Sequence, residues 1–435
     1  MKAKDTIISI FWYRRDLRLE DNRGLYNALC GEHPVLPIFI FDKNILSDLE
    51  NSEDARVTFI YRQVAKIQEA LTKISSSILV RFGDPCEVFE AVTEQYKVSA
   101  VYTNHDYEPD AKDRDEKVAN LLMHKGISFH TFKDQVIFEK EDILSSSGTY
   151  YKVFTPYKNA WLNKLNSKDY APYPSAVKVD NFYKTEPLDL PTLNDLGFVE
   201  STLSIPPLKL EEDLIQAYDR TRNHPYLNTS RIGLHLRFGT ISIRKVVGIA
   251  KKLNKVWLEE LIWREFFMMI LFHNPQVVEN PYKQKYDKIV WRNNEEEFKK
   301  WCEGKTGYPI VDAGMRELNA TGFMHNRVRM ITASFLTKHL LIDWKWGEAY
   351  FAEKLLDYEL SSNNGNWQWV AGTGADAQPY FRVFNPTSQM ERFDKELEYT
   401  RRWVPEWGSD KYPEPMVPHK EARERAMQAF KEVSS

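Results

Sequence analysis

The chain has 435 residues, a formal net charge of −3, and 43% hydrophobic and 28% charged residues. That length predicts more than one domain at about 150 residues each, with an ample core, and the near-neutral balance excludes a uniformly basic nucleic-acid coat. Cys30, Cys86 and Cys302 are odd in number and far apart. They suggest neither a disulfide framework nor a metal site and suit a reducing compartment, the cytoplasm (the nucleus if eukaryotic).

The N-terminus, MKAKDTIISIFWYRRD, meets charge too soon for a signal peptide. No stretch approaches the about 20 apolar residues that a membrane-spanning helix needs. Over the first 135 residues, apolar runs at 7–12, 35–41, 78–81 and 100–103 read as buried strands, with helices between them at 56–73 and 113–124. Alternating strands and helices predict a Rossmann-like parallel α/β sheet. Such sheets bind ligands at the carboxyl ends of their strands, which here carry Arg14-Arg15-Asp16, Asp42, Gly83-Asp84 and Asn104. Residues 136–207 are rich in Ser, Pro and Tyr and read as a surface linker, although YKVFTPYKNAW (151–161) is too aromatic to lie free in solvent. From 208 to 435 the pattern is helical, which predicts an all-α second domain.

Residues 220–256 hold nine Lys or Arg and no acid. Such a run is either a solvated face or a track for phosphates, whose neutralisation releases counterions. Thr229-Ser230-Arg231-Ile232-Gly233 offers hydroxyl N-caps before an apolar run. It fits an ordinary capped helix or an anion site built from free N–H groups. In WLEELIWREFF, Glu260 and Trp263 are i,i+3, and Trp263 and Phe267 are i,i+4, so one helical face holds all three. Residues 357–389, DYELSSNNGNWQWVAGTGADAQPYFRVFNPTSQ, show neither helical nor strand periodicity for long. They read as a short helix broken at Asn363-Asn364-Gly365, then WQW, then loop. Tryptophans beside amides and acids there suggest a site for a large planar ligand.

Four blocks, in one order, resemble the photolyase and cryptochrome family: TSRIGLHLRFG (229–239), WLEELIWREF (257–266), GKTGYPIVDAGMRELNATGFMHNRVRM (304–330) and NNGNWQWVAGTGADAQPYFRVFNP (363–386). The resemblance runs from FWYRRDLRLEDN (11–22) to PHKEAR (418–423) and is strongest to class I cyclobutane pyrimidine dimer (CPD) photolyases. It implies a catalytic FAD, fully reduced in the active form, and UV-damaged DNA as substrate. It also implies light-driven electron transfer to a flipped-out dimer by a monomer.

By resemblance, Tyr218, Thr229, Ser230, Arg231, Ile232, Gly233 and Trp257 contact FAD. Gly233 stands where the family usually has Ser. Asp357, Tyr358 and Glu359 line the flavin ring, Arg329 pairs with Asp357, and Asn363 faces flavin N5. Trp367, Trp344 and Trp291 match the electron-transfer tryptophans, with Trp291 outermost and near solvent. Glu260 would bond the dimer carbonyls, with Trp263 and Trp369 as walls. Arg222, Asn326, Arg327, Met330 and Gln389 match DNA or lesion contacts, and Phe323 stands where Trp is frequent. Asn104 and Glu108 match folate-contacting positions of an antenna site, or they cap the following helix. The family's Cys-Lys reads Val277-Val278 here, so a deazaflavin, a second flavin or no antenna remain alternatives to folate. The rival readings are a cryptochrome, which commonly adds a tail or loses lesion residues, and a (6-4) photolyase, which needs a His pair where this block has His325.

Overall fold

The computed structural model describes residues 6–433, and these form two compact units. Among the described residues the first comprises 6–139, 164–208 and 232–249, and the second 140–163, 209–231 and 250–433. The boundaries expected at 135 and 207 differ from this in two ways. The stretch expected as a linker is divided between the units and contains a helix, Phe154–Lys164. Residues 232–249, expected in the helical domain, belong with the sheet.

In the first unit, β1 (Ile7–Tyr13), β2 (Val35–Asp42), β3 (Leu79–Gly83), β4 (Lys97–Asn104) and β5 (Ser128–Phe132) form one parallel sheet in the order β3-β2-β1-β4-β5. Parallel neighbours need crossovers, supplied by the helices Ala55–Thr72, Pro85–Gln95 and Pro109–His124. Asp54 and Asp84 cap the first two through their side chains. β2 is buried throughout, as a central strand covered on both faces should be. β5, SFHTF, has no buried residue and no apolar run, because it lies at the sheet edge.

Beyond the strand ends lies an ion-pair network. Arg14 pairs with Asp115, Arg15 with Asp106 at 3.1 Å and Glu108 at 2.6 Å, and Arg18 with Asp134 at 2.5 Å. Arg244, from the late segment, reaches Asp21 and Asp134, each at 2.8 Å. Gly239 (φ +61°) sits where a Cβ would strike the Arg15 backbone, so only glycine fits this approach.

The second unit is helical. Pro309–Thr321, Asn326–Ser334, Trp344–Lys354 and Leu360–Ala371 surround a core, and the long buried helix Lys255–His273 packs on Leu360–Ala371. Leu360–Ala371 corrects the sequence reading: the helix runs unbroken through Asn363-Asn364-Gly365 and carries both Trp367 and Trp369. Tertiary contacts override the weak propensity of these residues. Asn364 Nδ2 donates to Val277 O at 3.0 Å, and a Cβ at Gly365 would collide with Phe267. The helix ends instead at Gly372, in the left-handed conformation (φ +89°).

Candidate flavin and lesion site

The second unit brings most of the candidate residues onto four helical segments. Asn254 caps Lys255–His273, accepting from Val256 N and Trp257 N. Its Nδ2 reaches Gln216 O at 3.0 Å and Asp219 at 2.9 Å, which fixes the short helix carrying Tyr218 beside buried Trp257. Glu260, three residues on, takes Arg222 Nη1 at 2.8 Å and also the Tyr218 hydroxyl. Burial pushes the Glu260 carboxyl above its ordinary value, while Arg222 and the Tyr218 hydrogen bond pull the other way. Trp263 stacks on Phe154 with centroids 3.6 Å apart, so one indole face is covered. Phe154 lies in the aromatic 151–161 stretch, which is where sequence composition signalled burial.

Arg329 Nη2 donates to both oxygens of Asp357 at 3.0 and 3.1 Å, as the resemblance implies, and its Nε reaches Met324 O at 2.7 Å. The Arg231 and Arg329 guanidiniums lie 4.5 and 5.6 Å from the Phe323 ring centre, so phenylalanine here serves as a cation–π platform. Glu359 is the N-cap of Leu360–Ala371, accepting from Ser362 N and Ser361 Oγ. Its carboxylate is therefore at least partly committed to the helix. Tyr358 and Trp369 pack against the core, half-buried.

Thr229 and Ser230 do not cap a helix. The short helix begins at Gly233 with Ile232 as N-cap and no side-chain bond, and Arg231 takes a positive φ of 45°. The unit boundary falls between Arg231 and Ile232.

Asn326 is exposed, and Met330 and Gln389 are half-buried. His325 Nδ1 accepts from Arg327 N, and the imidazole is held neutral, pushed down to about 4 by burial and by Arg329 and Arg327. Arg327 donates to Asn223 at 2.6 and 3.1 Å and stacks on Phe393. Burial lowers its affinity for its proton, and so do Arg222 and Arg392. Arg392, exposed on the helix Pro386–Phe393, is a neighbour that sequence reasoning missed, since nothing in SQMERF marks it.

Of the three assigned tryptophans, two are buried and one is more open. Trp367 and Trp344 are 3% and 2% exposed, whereas Trp291 is half-buried. Gly347, one turn after Trp344, lies so close to the Trp367 indole that a Cβ would collide with it. Arg292 N donates to Leu341 O at 2.8 Å, and Asp343 N to Asn293 Oδ1 at 2.9 Å, which holds the Trp291 segment beside the start of the Trp344 helix. A fourth indole, fully buried Trp301, meets Trp367 edge-on at 6.2 Å.

In the first unit, Asn104 is buried and its amide is consumed. Oδ1 accepts from Gly24 N, and Nδ2 donates to Asp16 and Asn22. Glu108 stands at the N-cap of Pro109–His124 without a side-chain cap bond and is paired with Arg15 and Arg237. These commitments weigh against a folate held by this pair. A cavity of about 580 Å³ in this unit, lined by Lys43, Asn44, Phe82 and Phe198 among others, contains none of the assigned residues.

Residues 9–177 match the family described as DNA photolyase, and residues 257–410 the FAD binding domain of DNA photolyase. The deoxyribodipyrimidine photo-lyase of Halobacterium salinarum is 36% identical, covering 97% of this chain and 98% of that one. This chain belongs to the DNA photolyase family. The photo-lyase of Escherichia coli is also 36% identical, over 97% of this chain and 98% of its own. A bacterial class III photolyase from Agrobacterium tumefaciens superposes with a TM-score of 0.85 at 32% identity, covering 99% of this chain and 98% of that one. An archaeal photolyase from Sulfolobus tokodaii, solved with two FAD molecules, gives 0.83 at 35%, covering 98% and 99%.

The photolyase fold alters one expectation. The basic run 220–256 is not a single surface, because Arg244 is buried in its pairs with Asp21 and Asp134, and Arg237 pairs with Glu108. Lys245, Lys251, Lys252 and Lys255 remain exposed.

An Arg329→Ala photolyase should hold FAD roughly 10- to 100-fold less tightly. The half-buried Asp357 would lose a charged hydrogen bond of about 1.5–3 kcal/mol. Free-flavin fluorescence on dilution measures this directly.

Proposed function

We propose that this photolyase-family chain repairs cyclobutane pyrimidine dimers in DNA, as a monomer in the cytoplasm, with blue light driving an electron from reduced FAD to a flipped-out dimer. The observation that carries the reading is the Tyr218–Glu260–Arg222 cluster, one helical turn from Trp263. It joins a cation for a phosphate, a carboxyl for a carbonyl and an indole for a base.

The residues present fit FAD. Thr229 and Ser230 cap no helix, Asp357 is oriented by Arg329, and no bond within the chain, among the described residues, reaches Asn363 Oδ1. Bound FAD would supply the light-excited electron. The chain's residues do the rest. Arg329 fixes Asp357, half-buried Trp263 offers an indole to an extruded base, and Arg222, Arg327 and Arg392 supply cations for backbone phosphates. Extrusion costs least at a damaged, poorly paired step, which gives selectivity. Trp291, half-buried, is placed to lose a proton to water after Trp367 and Trp344 pass an electron inward.

The test is repair of a defined thymine dimer in duplex DNA by dithionite-reduced protein under blue light. Thymine restoration absent from the dark control is expected; a photoreducible protein with no repair would move the reading to light sensing or to another lesion. DNA affinity should fall as salt rises, and Arg392→Ala should flatten the log–log slope by about 1. Fluorescence anisotropy from low to high salt measures both, and an unchanged slope would remove Arg392 from the phosphate contacts.

A further inference from the structure

Asn363 has a buried side chain one turn into Leu360–Ala371. Its Nδ2 donates twice, and both bonds go to Glu348: Oε1 at 2.9 Å and the backbone oxygen at 3.0 Å. A backbone carbonyl only accepts, so the amide nitrogen must lie on this side, and both its hydrogens are spent. Oδ1 is therefore the atom presented outward.

Among the described residues Glu348 has no cationic partner. Burial pushes its carboxyl up to about 7, opposed by the Asn363 bond alone. On its own helix Lys354 pairs with Glu353, and the helix bearing Asn363 has no ionisable residue. Of the segment Phe335–His339, which also packs on this helix, Lys338 donates to Ala371 O and His339 meets His419.

We propose that Glu348 is a positioning residue that locks the Asn363 amide as an acceptor toward N5 of the flavin. Reduced flavin carries N5–H and meets this acceptor; oxidised flavin has a bare N5 that needs a donor. The device therefore favours the reduced cofactor. It rests on the placement of Asn363 at N5 proposed above. One of the two bonds comes from the backbone and survives any substitution of the side chain. The side-chain bond alone should change the reduced-to-oxidised ratio about fivefold, the worth of one hydrogen bond.

The experiment compares midpoint potential and air-reoxidation rate of the bound flavin in wild-type holoprotein and in E348A, E348M, E348Q and N363A. E348A and E348M should shift the ratio about fivefold toward oxidised flavin and reoxidise faster. E348Q, whose Oε1 still accepts, should behave as wild type, and N363A should shift further. Wild-type behaviour of E348A and E348M beside a shifted N363A would overturn the role of Glu348. So would an E348Q that moves as far as E348A, a comparison that stands even if the alanine variant loses its flavin. An unshifted N363A would overturn the placement of Asn363 itself.

Discussion

Binding of a thymine dimer should take up about one proton, and Glu260→Gln should abolish the uptake. A thymine carbonyl only accepts, so a carboxylate cannot bond it; the carboxyl must carry a proton. Without lesion, Glu260 is bonded by Arg222 at 2.8 Å and by Tyr218, and the cation opposes protonation. Incoming phosphates compete for Arg222. Once that guanidinium turns to DNA, burial dominates and the carboxyl fills from solvent. Calorimetry in two buffers of different ionisation enthalpy counts the proton; no difference between wild type and Glu260→Gln would sink the coupling. The sign for repair follows: activity is present while Glu260 can be protonated and falls as pH rises through its raised value. Glu260→Ala should cut repair per absorbed photon at least about tenfold, as loss of one donor to a developing oxyanion does, with FAD content unchanged. Undiminished repair would remove the assigned role.

Trp367→Phe should leave the flavin oxidised under illumination with external donor, while dithionite-reduced protein still repairs. Trp367 is buried and seated against Gly347, and the resemblance makes it the tryptophan next to the flavin. Its loss severs the route rather than lengthening it. Trp291→Phe should slow photoreduction without stopping repair by pre-reduced protein, because this half-buried residue is the solvent terminus. Transient absorption at the flavin band follows both. Loss of pre-reduced repair in Trp291→Phe would mean that the residue serves the fold or the lesion instead.

Strands β1 to β4 were legible from their apolar runs; in β1 and β2, burial on both faces leaves no alternation. The edge strand β5 was not, since SFHTF carries no such signal. The Asn363-Asn364-Gly365 run misled for a physical reason: amides and glycine signal a break only when nothing else claims them, and here Glu348, Val277 and Phe267 do. Motifs located Arg329 and Asp357, whose pairing the geometry shows. They could not locate Glu348 or Phe154, whose roles depend on which helix faces which. Charge counting overstated the basic run, because sequence does not distinguish a buried Arg244 from an exposed Lys245.

The interleaving of the two units has a consequence for synthesis on the ribosome. The sheet's residues are complete by 132, yet the Arg244 that neutralises Asp21 and Asp134 lies more than a hundred residues later. Until it emerges, the nascent first unit holds Asp21 short of its cation and Asp134 with Arg18 alone, and uncompensated buried charge is costly. A clone cut at the apparent domain border near 207 would carry that deficit permanently. The smallest fragment expected to fold as a sheet domain is one that keeps residues 232–249, spliced or supplied as a separate peptide.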